Sequence, residues 1–279
     1  MQHDTTLKVG LMGAGIQASR SPSLHMVEAK SLGLDLHYEL IDFDNIPGGE
    51  AMFESLLADR QKRGYCGVNV THPFKQTVVP MLDELSPDAA EMGSVNTVVF
   101  RDGKRIGFNT DWSGYAESFR REFSDVNLSR IVQLGAGGAG VAVAYALLKL
   151  GTFRLTLFEL DPKRGRNAVE SLGKLFPGRV SLGKDLPADV ATADGLVNCT
   201  PVGMAKYPGL PLPAALLRKS LWVSEVIYFP LETELLKQAR ALGARTLNGS
   251  GMNIFQGAQA FELFTGVRPD QERMLARFS

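Results

Sequence analysis

The sequence predicts an α/β protein of about two domains, in which short strands alternate with helices. The chain has 279 residues, more than the ~100–200 residues of a typical single domain. Apolar runs at 8–13, 131–134 and 195–200 are separated by stretches with helical spacing of apolar residues, which is the pattern of βα units. The composition, 44% hydrophobic and 22% charged residues, is that of an ordinary globular protein.

The charge balance argues against a nucleic acid or a membrane surface as the partner. Lys and Arg together number 30, and so do Asp and Glu, so no strongly basic surface is expected. No apolar run approaches the ~20 residues of a membrane span. We therefore expect a small-molecule ligand.

The two cysteines and the first residues indicate a cytoplasmic protein. Cys66 and Cys199 lie in separate apolar runs and are expected to be buried free thiols. Residues 1–4 lack a basic region followed by an apolar core, so no signal peptide is expected. Neither Cys nor His shows the spacing of metal ligands, and no metal site is expected.

The first strand, at 8–13, leads into a glycine pattern that we do not expect to bind a nucleotide. Residues 13–18 fit G-x-G-x-x-A, but Pro22 interrupts the helix that such a turn must open into. The helix is predicted to start late, with Ser21 as N-cap and Pro22 at its first position. Ser19 and Ser21 then flank a helix N-terminus, which suits a carboxylate ligand; the alternative is N-capping by Ser21 alone.

The next segments place polar residues at strand ends. A strand at 37–43, a helix at 49–63 and a strand at 66–71 are expected, with Pro73 starting a further helix. Asn69, Thr71 and Lys75 then lie at the carboxyl end of a strand, where open α/β sheets bind ligands. A Lys near a helix start opposes the helix dipole, so it has either a ligand or a solvated surface position.

Two more polar residues follow in the same manner. A helix at 86–93 and a hairpin of strands at 98–100 and 105–109 are predicted. Asn96 precedes the first of these strands and Asp111 follows the second. Asp111 is therefore a candidate for the site, and the alternative is that it caps the helix expected at 112–123.

The strand at 131–134 is followed by a glycine-rich turn and by a helix at 141–150. The turn consists of Gly135, Ala136, Gly137, Gly138, Ala139 and Gly140. Glycines permit a tight turn and close backbone approach, and a helix N-terminus directs its free N–H groups at an anion. The segment therefore predicts a phosphate cradle for a dinucleotide.

Glu159, at the end of the strand at 155–160, predicts which dinucleotide this is. It stands 19 residues beyond Gly140, near the ~20-residue offset at which an acid meets the adenosine ribose hydroxyls. An acid there favours NAD, whereas a 2′-phosphate favours Arg. NADP stays possible because Arg164 or a neighbouring cation could fold back onto a phosphate. Asp161, before Pro162, is predicted to be an N-cap.

The C-terminal part continues the alternation. Strands at 195–200 and 221–228 are expected, the first ending at Thr200 and the second at Tyr228. Helices are predicted at 232–242, 252–265 and 270–278, the second of which carries Gln256.

A set of separated motifs in a specific order shows that the chain resembles the shikimate/quinate dehydrogenase family over nearly its whole length. The motifs are Ser-Arg-Ser-Pro at 19–22, Asn-Val-Thr-His-Pro-Phe-Lys at 69–75, Gly-Ser-Val-Asn-Thr at 93–97, Asn-Thr-Asp at 109–111, the glycine turn at 135–140, Asn-Cys-Thr-Pro-Val-Gly-Met at 198–204 and Gly-Met-x-x-x-Gln at 251–256.

The resemblance implies a role for each matched residue. Lys75 and Asp111 would form the catalytic pair, and the substrate would contact Ser19, Ser21, Thr71, Asn96, Tyr228 and Gln256. The coenzyme would contact residues 135–140, Glu159, Arg164, Thr200 and Gly251. An N-terminal substrate domain (1–111), completed by C-terminal helices (247–279), would enclose a Rossmann-type NAD(P)-binding domain at 112–246.

The resemblance also implies a branch of the family. The segment Phe158-Glu159-Leu160-Asp161 looks like the NAD-using quinate/shikimate branch, whereas strict NADP users carry an Asn-Arg-Thr-like turn there. Ser21 stands where quinate users often have Thr, which favours shikimate. NADP-dependent, quinate or aminoshikimate dehydrogenases, and a non-catalytic metabolite sensor, are the alternatives. A monomer or a homodimer is expected.

Overall fold

The computed structural model describes residues 6–278, so the residues behind the signal-peptide expectation lie outside it. The chain forms two compact units. The first unit comprises the chain up to residue 110 together with the segment from 254 onward, and the second unit comprises residues 111–253. We predicted domain boundaries after 111 and 246, which lie one and seven residues from these divisions.

The first unit contains a six-stranded mixed sheet. Its strands are β1 (Leu7–Gly13), β2 (Leu36–Asp42), β3 (Gly67–Val70), β4 (Glu84–Leu85), β5 (Thr97–Arg101) and β6 (Lys104–Phe108). Their order in the sheet is β2-β1-β3-β5-β6-β4. Strand β1 pairs in parallel with both β2 and β3, so these three strands end at the same edge of the sheet.

Helices cover this sheet. They are α1 (Ser21–Ser31), α2 (Phe53–Lys62), α3 (Pro87–Met92), the part of α9 (Ser250–Thr265) that belongs to this unit, and α10 (Gln271–Phe278). Phe261 and Phe264 of α9 pack with Val9, Leu11 and Tyr38 of the sheet in one apolar cluster. The C-terminal helices therefore complete the core of the first unit.

The loop formed by the glycine pattern at 13–18 is occupied by the side chain of Asp42. The carboxylate of Asp42, at the end of β2, accepts hydrogen bonds from the backbone N–H groups of Gly15 (2.9 Å) and Ile16 (3.2 Å) and from the side chain of Gln17 (2.9 Å). It also accepts from residues 44 and 45. The N–H groups that a nucleotide phosphate would need here are thus already bonded to an anion.

The helix that we expected Pro73 to start is absent. Residues 72–78 form successive turns, and the peptide bond between His72 and Pro73 is cis. Phe74 is buried against Phe43 and Phe53, with its ring centroid 4.2 Å from that of Phe53. The packing of this aromatic side chain fixes the segment as a loop, so that tertiary contacts override the local helix signal.

The second unit contains a six-stranded sheet in which every pairing is parallel. Its strands are β7 (Arg130–Leu134), β8 (Arg154–Phe158), β9 (Val180–Leu182), β10 (Gly195–Asn198), β11 (Trp222–Glu225) and β12 (Thr246–Leu247). The order β12-β11-β10-β7-β8-β9 is that of the dinucleotide-binding Rossmann fold, in which the order of successive strands reverses between β7 and β10. The prediction of an α/β protein with a Rossmann-type domain is confirmed.

Helices connect these strands. They are α4 (Asp111–Glu122), α5 (Gly138–Lys149), α6 (Pro162–Leu175), α7 (Leu186–Ala191) and α8 (Glu234–Ala241). Asp161 caps α6 as predicted, because its side chain accepts from the N–H groups of Lys163 and Arg164. Helix α5 starts three residues earlier than predicted, directly inside the glycine turn. Both cysteines are free and half-buried.

Asp42→Asn should destabilise the protein, because an amide replaces a buried carboxylate that accepts several hydrogen bonds. Loss of such bonds costs about 1–3 kcal/mol, which urea unfolding at pH 7 would measure. These hydrogen bonds outweigh the effect of burial and lower the pKa of Asp42. The stabilisation is therefore fully present above the usual pKa of an Asp and is lost as the pH falls through the lowered value. Asp44→Asn, at an exposed carboxylate of the same segment, is the control; an equal loss in both variants would contradict the assignment.

Candidate functional site

Two serines in the first unit lie together before α1. Ser19 Oγ donates to Ser21 Oγ at 3.2 Å, and the Ser21 backbone N–H donates to Ser19 Oγ at 3.3 Å. Our prediction of Ser21 as N-cap is wrong: Arg20 occupies that position, and its side chain makes no capping hydrogen bond. Both hydroxyls are half-buried and remain beside a helix N-terminus, an environment that favours an anion.

A second group of polar side chains in the first unit joins Asn96 to Gln256. Asn96 Nδ2 lies 2.9 Å from Thr110 Oγ1 and 3.4 Å from Gln256 Oε1. Asn96 Oδ1 accepts the backbone N–H of Thr110 at 2.8 Å. Two predicted site residues, 160 positions apart in the chain, are therefore neighbours. Thr110 lies between them, and sequence reasoning assigned it no role.

Lys75 and Thr71 follow β3, on the loop that the structure shows in place of a helix. The backbone of Lys75 accepts the N–H of Val95, next to Asn96, at 2.8 Å. The Thr71 N–H donates to Met12 O, and a Cβ at Gly13 would lie 2.2 Å from the Thr71 side chain. Glycine at the end of β1 thus permits the close approach of Thr71.

The glycine turn in the second unit has the geometry of a phosphate cradle. Gly135 has φ +88°, and a Cβ there would lie 2.9 Å from the Cys199 backbone. A Cβ at Gly140 would lie 2.5 Å from Gly135 O, whereas a Cβ at Gly137 would meet nothing within 4 Å. Helix α5 starts after Gly137 without a side-chain cap. The turn is therefore in close contact with the protein at Gly135 and Gly140 and open at Gly137. Its backbone N–H groups can bind an anion on the open side.

Glu159 lies directly at this turn. Its Oε2 accepts the Ala136 N–H at 2.8 Å, and its Oε1 accepts from the Asp161 N–H at 3.0 Å and from Arg164 Nη2 at 2.8 Å. Burial alone would raise the pKa of Glu159, but the hydrogen bonds from Arg164, Asp161 and Ala136 outweigh it and lower the pKa to about 2. Its carboxylate is thus ionised at neutral pH.

The loop after β10 is held by a buried carboxyl group. Asn198 donates to Val202 O at 3.0 Å and to Glu225 Oε1 at 2.9 Å, while its own Oδ1 accepts from Thr200 Oγ1 at 2.7 Å. Thr233 also donates to Glu225. Burial raises the pKa of Glu225 to about 7. Asn198 lies in a motif that the sequence showed, but Glu225 carried no signal beyond its place in an apolar strand.

The remaining predicted residues of the second unit lie near the ends of its elements. Asp111 is buried and is the first residue of α4. Tyr228 lies three residues beyond β11, which ends at Glu225 rather than at Tyr228 as predicted. Gly251 is buried in the first turn of α9. The pairing of Lys75 with Asp111 and the substrate contact of Tyr228 stay predictions.

Residues 6–278 contain no group of three or more His, Cys, Asp or Glu side chains that could hold a metal ion. Within the same range, every helix is too short or too polar to cross a membrane.

The strand order and the glycine turn define a dinucleotide-binding Rossmann fold, and comparison with known proteins identifies the family. Residues 11–98 match the shikimate dehydrogenase substrate binding domain, and residues 249–277 match the shikimate 5′-dehydrogenase C-terminal domain. The chain belongs to the shikimate dehydrogenase family, whose members are NAD(P)-dependent oxidoreductases acting on a CH–OH group.

Some of the similar proteins are named for NADP and others for NAD. A shikimate dehydrogenase (NADP(+)) from Streptomyces avermitilis is 50% identical, over 99% of this chain and 96% of that protein. A quinate/shikimate dehydrogenase (NAD(+)) from Corynebacterium efficiens is 42% identical, over 100% of this chain and 99% of that protein. The structure of quinate dehydrogenase from Corynebacterium glutamicum in complex with NAD superimposes with a TM-score of 0.93 at 40% identity, covering 96% of this chain and 97% of that one.

Two glycine variants should separate folding from dinucleotide binding. Gly137→Ala should leave the free energy of unfolding unchanged, because its Cβ meets nothing, but should weaken dinucleotide binding about tenfold, or ~1.4 kcal/mol, by blocking approach of the pyrophosphate. Gly140→Ala should instead lower the stability by about 1–3 kcal/mol, because its Cβ clashes with Gly135 O. Urea unfolding and NADH fluorescence titration measure the two effects. Unchanged dinucleotide affinity in Gly137→Ala would contradict the cradle.

Proposed function

We propose that this protein is an NAD-dependent shikimate dehydrogenase, which interconverts shikimate and 3-dehydroshikimate and also accepts quinate. The observation that carries the choice of coenzyme is the ionised Glu159 carboxylate, held at the glycine turn by the Ala136 N–H. The family establishes the reaction type, and the position of this charge argues for NAD.

In this proposal the first unit supplies most of the substrate contacts. Ser19 and Ser21, beside the start of α1, bind the carboxylate together with Thr71, and Tyr228 of the second unit adds a contact. Asn96 and Gln256 bind ring hydroxyls, for which their amide groups offer both donors and acceptors. The hydroxyl and amide groups of these residues match a polyol acid.

Lys75 and Asp111 carry out the proton transfer. When bound, NAD accepts the hydride from the carbinol carbon of the substrate. The hydroxyl proton of the same carbon passes to the Lys75/Asp111 pair, which returns it to the carbonyl oxygen in the reverse direction. A Lys beside a carboxylate is suited to this general acid–base role.

The charge at residue 159 distinguishes the two coenzymes. A neutral ribose 2′-hydroxyl can donate a hydrogen bond to the Glu159 carboxylate, whereas a 2′-phosphate would be repelled by it. The alternative is an NADP-dependent enzyme, because Arg164, whose side chain is 53% exposed, could turn from Glu159 to a phosphate. The NADP name of the Streptomyces relative supports that alternative.

The direct test is a matrix of shikimate and quinate against NAD and NADP, followed at the absorbance of the reduced coenzyme. We expect kcat/KM to be highest for shikimate with NAD. A higher kcat/KM with NADP would overturn the coenzyme proposal. Binding of shikimate without turnover with either coenzyme would instead identify a metabolite sensor.

Lys75→Ala should lower kcat by about 10²–10⁴-fold, because the group that accepts the hydroxyl proton is removed. The affinity for NADH, measured by fluorescence titration, should not change. Lys62→Ala, at an exposed Lys at the end of α2 in the same unit, is the matched control and should keep the wild-type kcat. A kcat near the wild-type value in Lys75→Ala would refute the assigned mechanism.

Glu159→Ala should shift the coenzyme preference. We expect kcat/KM with NAD to fall about tenfold, because a charged hydrogen-bond acceptor is lost, and kcat/KM with NADP to rise because Arg164 is released. Arg164→Ala serves as the comparison, since it keeps the acid and should lower the use of NADP further. An unchanged ratio of the two values in Glu159→Ala would show that the acid does not select the coenzyme.

A further inference from the structure

A directed series of hydrogen bonds in the first unit starts at Tyr38. Its ring packs against His25, with ring centroids 4.8 Å apart, and His25 Nδ1 lies 2.9 Å from Ser21 O. The Tyr38 hydroxyl donates to Asn69 Oδ1 at 2.8 Å. Tyr38 lies on β2 and Asn69 on β3, so this first bond joins two strands that are separated by β1.

The series continues from Asn69 toward α9. Asn69 Nδ2 donates to Thr97 Oγ1 at 3.0 Å, and Thr97 Oγ1 donates to Asn96 Oδ1 at 3.0 Å. Asn96 Nδ2 then donates to Thr110 Oγ1 at 2.9 Å, and Thr110 Oγ1 lies 3.4 Å from Gln256 Oε1. The series therefore runs from Tyr38 to Gln256.

Each hydrogen bond between Tyr38, Asn69 and Thr97 has a fixed donor and a fixed acceptor. Asn69 accepts through its oxygen from Tyr38 and donates through its amide nitrogen to Thr97. Tyr38, Asn69 and Thr97 are 5%, 7% and 0% exposed, so water cannot replace a missing partner. Burial raises the pKa of the Tyr38 phenol well above its usual value, so the phenol remains a donor. Bonds aligned in this way strengthen one another.

We propose that Tyr38 and Thr97 are positioning residues, which hold the hydroxyl-binding Asn96 in a fixed orientation for a ring substrate. This inference rests on the proposed function, in which Asn96 contacts the substrate. Neither positioning residue needs to touch it. Without the Tyr38 hydroxyl, Asn69 keeps a buried oxygen without its donor, so its side chain can rotate and withdraw the support of Thr97 and Asn96.

Tyr38→Phe is the first test, because it removes one oxygen and keeps the ring that packs 4.8 Å from that of His25. We expect the KM and the Kd for shikimate to rise about tenfold, or ~1.4 kcal/mol, with a smaller change in kcat and an unchanged Kd for NADH. Tyr115→Phe is the matched control. Its hydroxyl is also buried and donates to Ser224 Oγ at 3.0 Å, but within the second unit. It should leave the KM for shikimate at the wild-type value.

Thr97→Val tests whether the series acts as a unit. It should raise the KM for shikimate by a similar factor, and the double variant Tyr38→Phe/Thr97→Val should raise it little more than either single variant, because one break already uncouples the two ends. If the increase in KM of the double variant equals the product of the increases in the two single variants, the coupling is refuted. If Thr97→Val does not fold, the comparison of Tyr38→Phe with Tyr115→Phe decides.

The outcomes separate this inference from the proposed function. If wild-type protein neither binds nor oxidises shikimate, both fail. If wild-type protein oxidises shikimate and Tyr38→Phe has the same KM as Tyr115→Phe, the proposed function stands and the positioning role is refuted.

Discussion

In each unit the structure depends on one constraint, that neighbouring parallel strands end at the same edge of the sheet. Segments that follow the central strands are therefore forced together, whatever their separation in sequence. At the end of β1, Gly13 leaves room for Thr71 after β3, and after β7, Gly135 leaves room for the Cys199 backbone after β10. The chain needs glycine at both places for the same steric reason, which explains why two similar glycine patterns occur.

The two patterns differ in the acid that faces them. In each unit an acid lies at the end of the strand that pairs in parallel with the first strand: Asp42 beside β1 and Glu159 beside β7. Asp42 accepts hydrogen bonds from the loop backbone and its side chains, and so fills the loop. Glu159 accepts only the Ala136 N–H from its turn, so the uncapped start of α5 stays available for a phosphate.

Local signals in the sequence predicted what local contacts decide, and little else. The N-cap at Asp161 and the acid at Glu159 follow from spacing along one segment, and the α/β class follows from the alternation of elements, whereas the Rossmann-type domain was implied by the resemblance to the family. The loop at Pro73 could not be predicted, because the burial of Phe74 among aromatic side chains from other segments determines it. The bond from Tyr38 to Asn69 depends on strand register; its only sequence signal was a polar Asn inside an apolar strand.

The coenzyme proposal depends on which partners keep Glu159 ionised and in place. Arg164 neutralises part of its charge, but this side chain is 53% exposed and can leave. The N–H groups of Ala136 and Asp161 belong to the backbone and cannot leave. A 2′-phosphate that attracted Arg164 would therefore uncover a carboxylate still fixed at the glycine turn, and its repulsion would offset the gain from the new ion pair. The backbone, rather than the Arg, thus sets the discrimination that we propose.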